Sequence, residues 1–456
     1  MKTYDVIVIG TGTAGQTAAA NLAAAAGIRV AVAEASPTPG GVCALKGCQA
    51  KKWFYEVAET VARCRALHAI GITTLPQVDW GQILAEKNAF TSQVPERTRS
   101  NLAKRGIDYL EGRTIFVDES TLRVGDVSFQ PRYVVVATGS RPMSLPIQGA
   151  EHLAISDRFL TLPALPPRIA FVGGGFISFE FAHYAARLGS SPGHIHILEA
   201  QKRPLATFDA DMVDQLVKAS REEGIEIHTE VAISSIERQG ASFVINFDSG
   251  EPLEVDLVVN GAGRIADIDA LNLDAAGVAH SKKGIQVDRL MRTSNPKVFA
   301  VGDCVESPQL ARLADMEAKT AAQAILAADG GEEPTGIDYR AVPAVLFTYP
   351  QLGTVGKTED QLKEEQISYR VSFETDLDWA TFRRIGMKHA AYKILAGDDG
   401  RILGAHFLAD HTSGVIDIFK QAMMDGITVA ELYERNILSP YPSRESDVVY
   451  MLRSLK

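Results

Sequence analysis

Short, almost continuous apolar runs alternate along this chain with longer stretches whose apolar residues recur at helical spacing. The first run, Tyr4 to Ile9, leads into the turn GTGTAG at residues 10–15 and an alanine-rich stretch from Gln16 to Ala26. A second run, Arg29 to Ala33, ends at Glu34. Strands buried on both faces of a parallel sheet have this near-continuous apolar character. The pattern predicts a β-α-β unit at the start of the chain.

The same pattern returns in mid-chain. Arg168 to Val172 predicts a strand, GGGFIS at residues 173–178 its turn, and Glu180 to Leu188 a helix; the next strand, His194 to Leu198, ends at Glu199. In both units glycines allow a tight turn and a close approach of backbone amides to a pyrophosphate, and the acidic residue can bind ribose hydroxyls. The spacing predicts two dinucleotide sites. Ser178 stands where a third small residue is usual, which predicts slightly wider packing of helix and strand.

Three further strand ends carry glycine where the backbone must pass close to another group. They are VVVATG at residues 134–139, LVVNGAGR at residues 257–264 and VFAVGD at residues 298–303. Each glycine could also be a simple turn residue, because glycine adopts conformations that other residues avoid.

Two cysteines follow the first β-α-β unit in GGVCALKGC at residues 40–48. A helix that begins at Cys48 would place its positive N-terminal end, and the charges of Lys51 and Lys52, near that thiol and lower its pKa. We therefore predict that Cys43 and Cys48 form a redox pair. The alternative is two unrelated buried cysteines. Ordinary burial is predicted for Cys64 and Cys304.

Length, composition and charge limit the classes of protein to which this chain can belong. The chain has 456 residues, 46% hydrophobic residues and a formal net charge of −10, which is typical of a globular protein of about three domains. Nothing predicts a nucleic-acid surface, a resident metal, a membrane span or a signal peptide before the first strand. Four cysteines in so long a chain predict catalytic thiols in a reducing compartment, the cytoplasm.

Taken in order, these motifs resemble those of the pyridine nucleotide-disulfide oxidoreductases, a family that includes glutathione reductase, dihydrolipoamide dehydrogenase and mercuric reductase. The resemblance implies an α/β fold with two Rossmann-like three-layer domains, for FAD and NAD(P), and an α+β interface domain that forms homodimers. It implies an FAD-binding domain over residues 1–150 and 268–335, an NAD(P)-binding domain over residues 151–267 and an interface domain over residues 336–456.

The resemblance also implies roles for individual residues. Cys48 would lie beside the flavin and Cys43 would face the substrate, while Glu180 would pair with Lys51 or Lys52 near the flavin. The residues implied for FAD are Gly10, Gly12, Gly15, Glu34, Gly41, Thr114, Thr138, Gly139, Gly302, Asp303 and Ala311. The residues implied for the nicotinamide nucleotide are Gly173, Gly175, Glu199, Val231 and Gly263.

The chain departs from the family near its C-terminus. Disulfide reductases of the family carry a histidine that moves the substrate proton and a glutamate that orients it. In SPYPSRES at residues 439–446, Tyr441 replaces the histidine and Ser446 the glutamate. A phenol with a reference pKa near 10 is a poor base at neutral pH. The final residues also lack the additional cysteine pair of mercuric reductase.

Three functions remain open. The preferred one is an NADH-preferring oxidoreductase that passes electrons through FAD and the Cys43/Cys48 disulfide to an activated disulfide or persulfide, a metal ion or a quinone. The second is a transhydrogenase-like or oxidase-like flavoenzyme that does not use the disulfide. The third is a redox sensor that holds FAD without turnover. Tyr441 is predicted to reach across a dimer to the partner's thiols or to fill the vacated histidine position.

Overall fold

The computed structural model describes residues 3–190, 193–328 and 330–456; Met1 and Lys2, which bear on the predicted absence of a signal peptide, lie outside them. The strands are β1 Val6–Ile9, β2 Val30–Glu34, β3 Asp108–Glu111, β4 Thr114–Phe116, β5 Leu122–Val124, β6 Val127–Phe129, β7 Tyr133–Val136, β8 Ser140–Pro142, β9 Ile169–Val172, β10 Ile195–Leu198, β11 Ile225–His228, β12 Ile233–Gln239, β13 Ser242–Phe247, β14 Leu253–Val255, β15 Leu257–Asn260, β16 Arg264–Ala266, β17 His280–Ser281, β18 Gly284–Ile285, β19 Val298–Ala300, β20 Ala344–Leu346, β21 Gln351–Gly356, β22 Arg370–Glu374, β23 Ala391–Ala396 and β24 Ile402–Ala409.

Helices lie between some of these strands and after the last one. They are α1 Thr13–Ala23, α2 Gly41–Leu45, α3 Cys48–Leu67, α4 Trp80–Thr91, α5 Val94–Lys104, α6 Ser156–Phe159, α7 Phe176–Leu188, α8 Ala210–Glu222, α9 Ala311–Ala327, α10 Glu359–Glu364, α11 Ala380–Arg383, α12 Thr412–Asp425, α13 Val429–Asn436 and α14 Val448–Leu452. None of the helices formed by the described residues combines the length and the apolar character needed to span a lipid bilayer.

The chain divides into two compact units. The first comprises Met1–Lys52, Ala85–Met143 and Arg264–Asp338, and the second comprises Trp53–Leu84, Ser144–Gly263 and Tyr339–Lys456. The sequence-based division into residues 1–150, 151–267, 268–335 and 336–456 stays a prediction.

The first unit is built on a five-stranded parallel sheet in the order β19-β7-β1-β2-β3. Its central strand is fully apolar, because a strand covered on both faces exposes no side chain to water. Helix α1 buries alanine, glycine and leucine, and these small side chains let it pack closely. One face of the sheet carries a core that includes Ile7, Ala31 and Val134. A three-stranded antiparallel sheet, β4-β5-β6, contributes Phe116, Leu122 and Val124 to the same core.

The second unit contains the other predicted β-α-β element. Its four-stranded parallel sheet has the order β11-β10-β9-β15, and the antiparallel strands β12, β13 and β14 contribute Ile236, Ile245 and Val255 to the core beside it. Residues of the C-terminal third form a separate five-stranded antiparallel sheet, β20-β21-β24-β23-β22, against which Phe419 of α12 packs. The two parallel sheets and the antiparallel C-terminal sheet confirm the predicted fold class.

Candidate active site

The first glycine turn joins β1 to α1 in the first unit. A Cβ at Gly10 would lie 2.4 Å from the carbonyl oxygen of Ala137, and a Cβ at Gly15 would lie 2.0 Å from the carbonyl oxygen of Gly10. Both positions therefore exclude any side chain. Gly10 also has a φ of +109°, which side chains rarely adopt.

The carboxylate of Glu34 closes this turn from the end of β2. Its Oε2 accepts from the backbone N–H of Thr11 at 2.9 Å and from the hydroxyl of Thr11 at 2.5 Å, while Oε1 accepts from the N–H of Ser36 at 2.8 Å. The turn is thus held by a charged side chain at the position predicted to bind ribose hydroxyls.

The segment that carries the two thiols packs directly against this turn. A Cβ at Gly41 would lie 2.4 Å from the Cα of Gly12, so the start of α2 passes against the turn without space for a side chain. Cys43 lies in α2, Cys48 is the first residue of α3, and both are free thiols. Thr13, which the sequence analysis did not single out, hydrogen-bonds to Cys43. The structure therefore brings the predicted thiols together at the predicted nucleotide turn.

The two thiols interact. A hydrogen bond between Cys43 and Cys48, followed by burial and the charge of Cys48, raises the pKa of Cys43 well above its usual range; the hydroxyl of Thr13 opposes this shift. Cys43 therefore holds its proton strongly in this arrangement. The other two cysteines are not part of this pair: Cys64 lies in α3, and Cys304 is fully buried, which raises its pKa to about 11.

The remaining residues predicted to bind FAD lie at the ends of other elements of the first unit. Thr114 begins β4, Thr138 and Gly139 follow β7, and Ala311 begins α9. Thr114 is 4% exposed, and its hydroxyl has no hydrogen-bond partner among the described residues. Since a buried hydroxyl is costly unless it is hydrogen-bonded, a ligand group would satisfy it.

An acidic residue follows β19 in the same unit. Asp303 is preceded by Gly302, whose N–H donates to the buried carboxylate of Glu317 at 2.7 Å. Burial raises the pKa of Asp303, while a 3.0 Å hydrogen bond from the hydroxyl of Ser140 and the charge of Arg264 lower it. Ser140, Arg264 and Glu317 were not identified from the sequence, because their role depends on contacts between distant segments. The glycines, the acidic residues and the unsatisfied hydroxyl fit a dinucleotide with a pyrophosphate and a ribityl chain.

The second glycine turn joins β9 to α7 in the second unit. A Cβ at Gly173 would lie 2.4 Å from the Cα of Ala262, and a Cβ at Gly175 would lie 3.2 Å from the carbonyl oxygen of Gly261. Glu199 Oε2 accepts from the N–H of Gly174 at 2.5 Å, and Oε1 accepts from the N–H of Gln201 at 2.6 Å. This carboxylate therefore holds its turn as Glu34 does.

Two further residues predicted for the nicotinamide nucleotide lie near these strand ends. The N–H of Val231 donates to the carbonyl oxygen of Glu199 at 3.1 Å. Gly263 follows β15 with a φ of +122°, and a Cβ there would meet nothing within 4 Å. The open space beside Gly263 is compatible with an approaching ligand.

The predicted proton-handling residues belong to different units. Lys51 and Lys52 are half-buried in the second turn of α3, in the first unit. Glu180 is 1% exposed in α7, in the second unit, and accepts from the N–H of Phe347 at 3.0 Å. Its pairing with a lysine stays a prediction.

Tyr441 lies on an exposed segment of the second unit. It is 76% exposed, and the nearby Leu438 is 90% exposed. Ser446, which stands where the family has a glutamate, hydrogen-bonds within a local turn: it accepts from the N–H of Ser443 at 3.0 Å and donates to the carbonyl oxygen of Ser443 at 2.7 Å.

Comparisons with known proteins agree with this architecture. Residues 4–318 match the family described as pyridine nucleotide-disulphide oxidoreductase, and residues 342–450 match its dimerisation domain. Glutathione reductase of Schizosaccharomyces pombe is 29% identical, with 97% of this chain and 98% of the relative aligned. Dihydrolipoyl dehydrogenase of Bacillus subtilis is 30% identical, with 94% and 92% aligned.

A solved structure extends the likeness to three dimensions. It is the Cu(II) complex of the HOCl-induced flavoprotein disulfide reductase RclA from Escherichia coli, with a TM-score of 0.88, 25% identity and full coverage of both chains. The two glycine turns, the adjacent thiols and these matches lead to one conclusion. The chain belongs to the pyridine nucleotide-disulphide oxidoreductase family, whose members are FAD-binding oxidoreductases with NAD(P) as substrate.

Proposed function

We propose that this enzyme transfers two electrons from NAD(P)H through FAD to a Cys43–Cys48 disulfide, and from the resulting dithiol to an acceptor that needs no histidine base. The observation that carries the proposal is the contact between the two thiols, in a segment built against the Gly12 turn. FAD, when bound, would supply the chemistry that couples hydride transfer from the nucleotide to reduction of the disulfide. We assign it the glycine turn, Glu34, Thr114 and Asp303.

In the proposed mechanism the two thiols and the proton-handling residues have separate roles. Reduction of the S–S bond consumes two electrons and two protons and leaves two thiols. Because the pKa of Cys43 is raised, Cys48 is the thiol that we expect to ionise and to lie against the flavin. Cys43, which keeps its proton, is then the group that meets the acceptor. We propose that Glu180 and Lys51 or Lys52 handle the associated proton.

Among the acceptors compatible with Tyr441, we favour a metal ion. RclA, which matches this chain over its full length, has been solved as a Cu(II) complex. Two cupric ions would each take one electron from the dithiol, which releases two protons and restores the disulfide. No imidazole is needed, because the acceptor forms no thiol leaving group. An activated disulfide or persulfide and a quinone are the remaining acceptor classes.

An anaerobic acceptor screen tests this function. Purified holoenzyme is given NADH or NADPH with cupric ion, mercuric ion, glutathione disulfide, lipoamide or a quinone, and Cys43→Ser and Cys48→Ser serve as matched variants. We expect turnover with a metal ion that both variants abolish, while flavin reduction by the nucleotide persists. Turnover that survives both changes would establish a flavoenzyme that does not use the disulfide. Flavin reduction without turnover of any acceptor would favour the redox sensor.

The absorption spectrum supplies an independent check on the thiols. A thiolate in contact with oxidised flavin absorbs at long wavelength. We expect Cys43→Ser to show this band without reductant, because Cys48 is then a permanent thiolate at the positive end of α3. Cys48→Ser should lack the band at every stage of reduction. A band in the Cys48→Ser variant would reverse the roles of the two thiols.

We further propose that the enzyme is a cytoplasmic homodimer. The match to the dimerisation domain and the exposed apolar side chains of Ile437, Leu438 and Tyr441 support the dimer. Tyr441→Phe tests whether the phenol acts on the acceptor. A tenfold loss of turnover, with flavin reduction unchanged, corresponds to a hydrogen bond worth about 1.4 kcal/mol. Unchanged turnover would leave Tyr441 a packing role only.

A further inference from the structure

Three side chains that commonly bind metals meet at the open edge of the parallel sheet in the second unit. His196 lies on β10, and Glu226 and His228 lie on β11, the edge strand. The parallel register pairs His196 with Glu226 and Leu198 with His228. Because alternate residues of a strand share one face, the three side chains project to the same side of the sheet.

The ligand atoms of these residues form a small triangle. His196 Nδ1 lies 3.2 Å from His228 Nε2 and 3.3 Å from Glu226 Oε2, and the last two atoms are 3.6 Å apart. Nitrogen and oxygen ligands at roughly 2.0–2.1 Å from a tetrahedral ion are about 3.3 Å from one another. The triangle therefore has the dimensions of one face of a tetrahedral coordination shell.

The imidazole of His196 makes both of its contacts in the triangle through one nitrogen. A neutral imidazole carries one N–H, so His196 Nδ1 can donate to His228 or to Glu226 but not to both. One ion within the triangle would contact this nitrogen and the other two ligand atoms at once.

The ligand types select the ion. Two imidazoles and one carboxylate suit zinc and its late first-row neighbours, whereas calcium and magnesium prefer oxygen ligands. The side chains of Glu226 and His228 are 49% and 41% exposed, and that of His196 is 9% exposed. An ion can therefore enter from solvent, and a water can complete its coordination.

We propose that His196, Glu226 and His228 form a binding site for a divalent transition ion of the zinc class. The site uses no residue of the thiol pair or the glycine turns, and it does not depend on the proposed function. The carbonyl oxygen of His228 accepts from the N–H of Glu199 at 2.8 Å. A bound ion would thus link the end of the edge strand to the strand end that carries Glu199.

Calorimetric titration of Zn²⁺ into the oxidised holoenzyme tests the proposal, because the closed disulfide removes Cys43 and Cys48 as competing ligands. We expect one ion per chain. His196→Gln and His228→Gln should each weaken binding roughly 100-fold, since loss even of an outer-shell partner costs 10–100-fold. His68→Gln, which changes an exposed histidine just after α3, is the matched control and should bind normally.

Three further measurements guard against misfolded variants and ions bound elsewhere. FAD content and thermal unfolding without metal should match between the variants and the parent, and Zn²⁺ should raise the melting temperature of the parent and the control alone. Cu²⁺ bound without reductant should show electron-paramagnetic coupling to two imidazole nitrogens. Binding that is equally strong in a folded His196→Gln/His228→Gln variant, or no binding to the parent at millimolar Zn²⁺, would overturn the proposal.

Discussion

The two glycine turns, one in each unit, are built in the same way at two positions, the first glycine and the glutamate. In both, a glutamate at the end of the second strand accepts from a backbone N–H of the turn: Glu34 from Thr11 at 2.9 Å, and Glu199 from Gly174 at 2.5 Å. In both, the first glycine presses against the strand end beside it, at Ala137 in the first unit and at Ala262 in the second.

The third position of the motif is where they differ. In the first unit Gly15 faces the methyl group of Ala137, which a Cβ at Gly15 would approach to 3.5 Å. In the second unit Ser178 occupies the corresponding place, and its hydroxyl would lie 2.0 Å from a Cβ at Gly261. The larger residue on the helix is matched by the smaller residue on the strand. Gly261 thus provides space for the hydroxyl of Ser178, and the wider packing of helix and strand stays a prediction.

The largest effect should come from adding a methyl group to the first turn. Gly15→Ala would place its Cβ 2.0 Å from the carbonyl oxygen of Gly10, which is backbone and cannot move aside. We expect loss of most bound FAD and a destabilisation of about 3 kcal/mol or more. Flavin absorbance per chain and thermal unfolding measure both.

Ser178→Ala is the matched change in the second turn. It only removes a hydroxyl that has no hydrogen-bond partner among the described residues, so flavin content and stability should be nearly unchanged. A Gly15→Ala variant with full flavin content would show that the two turns tolerate side chains equally, and the comparison would fail.

A smaller effect should follow from a methyl group at Gly261. Gly261→Ala places a Cβ against the hydroxyl of Ser178, and overpacking of this kind costs about 1–3 kcal/mol. We expect weaker binding of the nicotinamide nucleotide with FAD retained, measured by the KM for flavin reduction.

The double variant Ser178→Gly/Gly261→Ala rebuilds in the second unit the arrangement of the first. It should recover most of the lost stability and affinity, and the double-mutant cycle gives the coupling of the two positions. Additive effects of the two changes would contradict the compensation.

The smallest effect should come from removing the charge of Glu199 or of Glu34. Glu199 should accept hydrogen bonds from both ribose hydroxyls and repel a 2′-phosphate. The nearby guanidinium of Arg203, which could otherwise bind a 2′-phosphate, donates instead to the carbonyl oxygen of Phe208 at 3.1 Å. We expect a preference for NADH, which Glu199→Gln should reduce roughly tenfold, or about 1.4 kcal/mol, in the ratio of kcat/KM values. Glu34→Gln should weaken FAD and leave this ratio unchanged. A parent enzyme that prefers NADPH would remove the role assigned to Glu199.

Features confined to one segment could be predicted from the sequence. Both glycine turns, Glu34 and Glu199 at their strand ends, and the start of α3 at Cys48 all follow from local patterns, and the structure has them. The match of Ser178 to Gly261 was missed because it depends on which strand end lies beside the turn.

The metal-ligand triangle was missed for a similar reason, and the sequence analysis predicted no metal. His196 and Glu226 are separated by a helix and become neighbours only through the register of β10 and β11. The contact of Thr13 with Cys43 likewise joins segments that the sequence separates. Such pairs would require knowledge of strand order and register, which a pattern along the chain does not contain.

The contact between Gly12 and Gly41 sets limits for anyone who wishes to change the acceptor by design. Gly41 cannot take a side chain, and a Cβ at Gly47 would lie 3.0 Å from the carbonyl oxygen of Val42, which requires a small backbone shift, so both ends of the thiol segment tolerate little variation. Val42 and Lys46 are exposed. A library directed at positions 42 and 46 would therefore sample new surfaces beside the thiols while the backbone that supports them stays fixed.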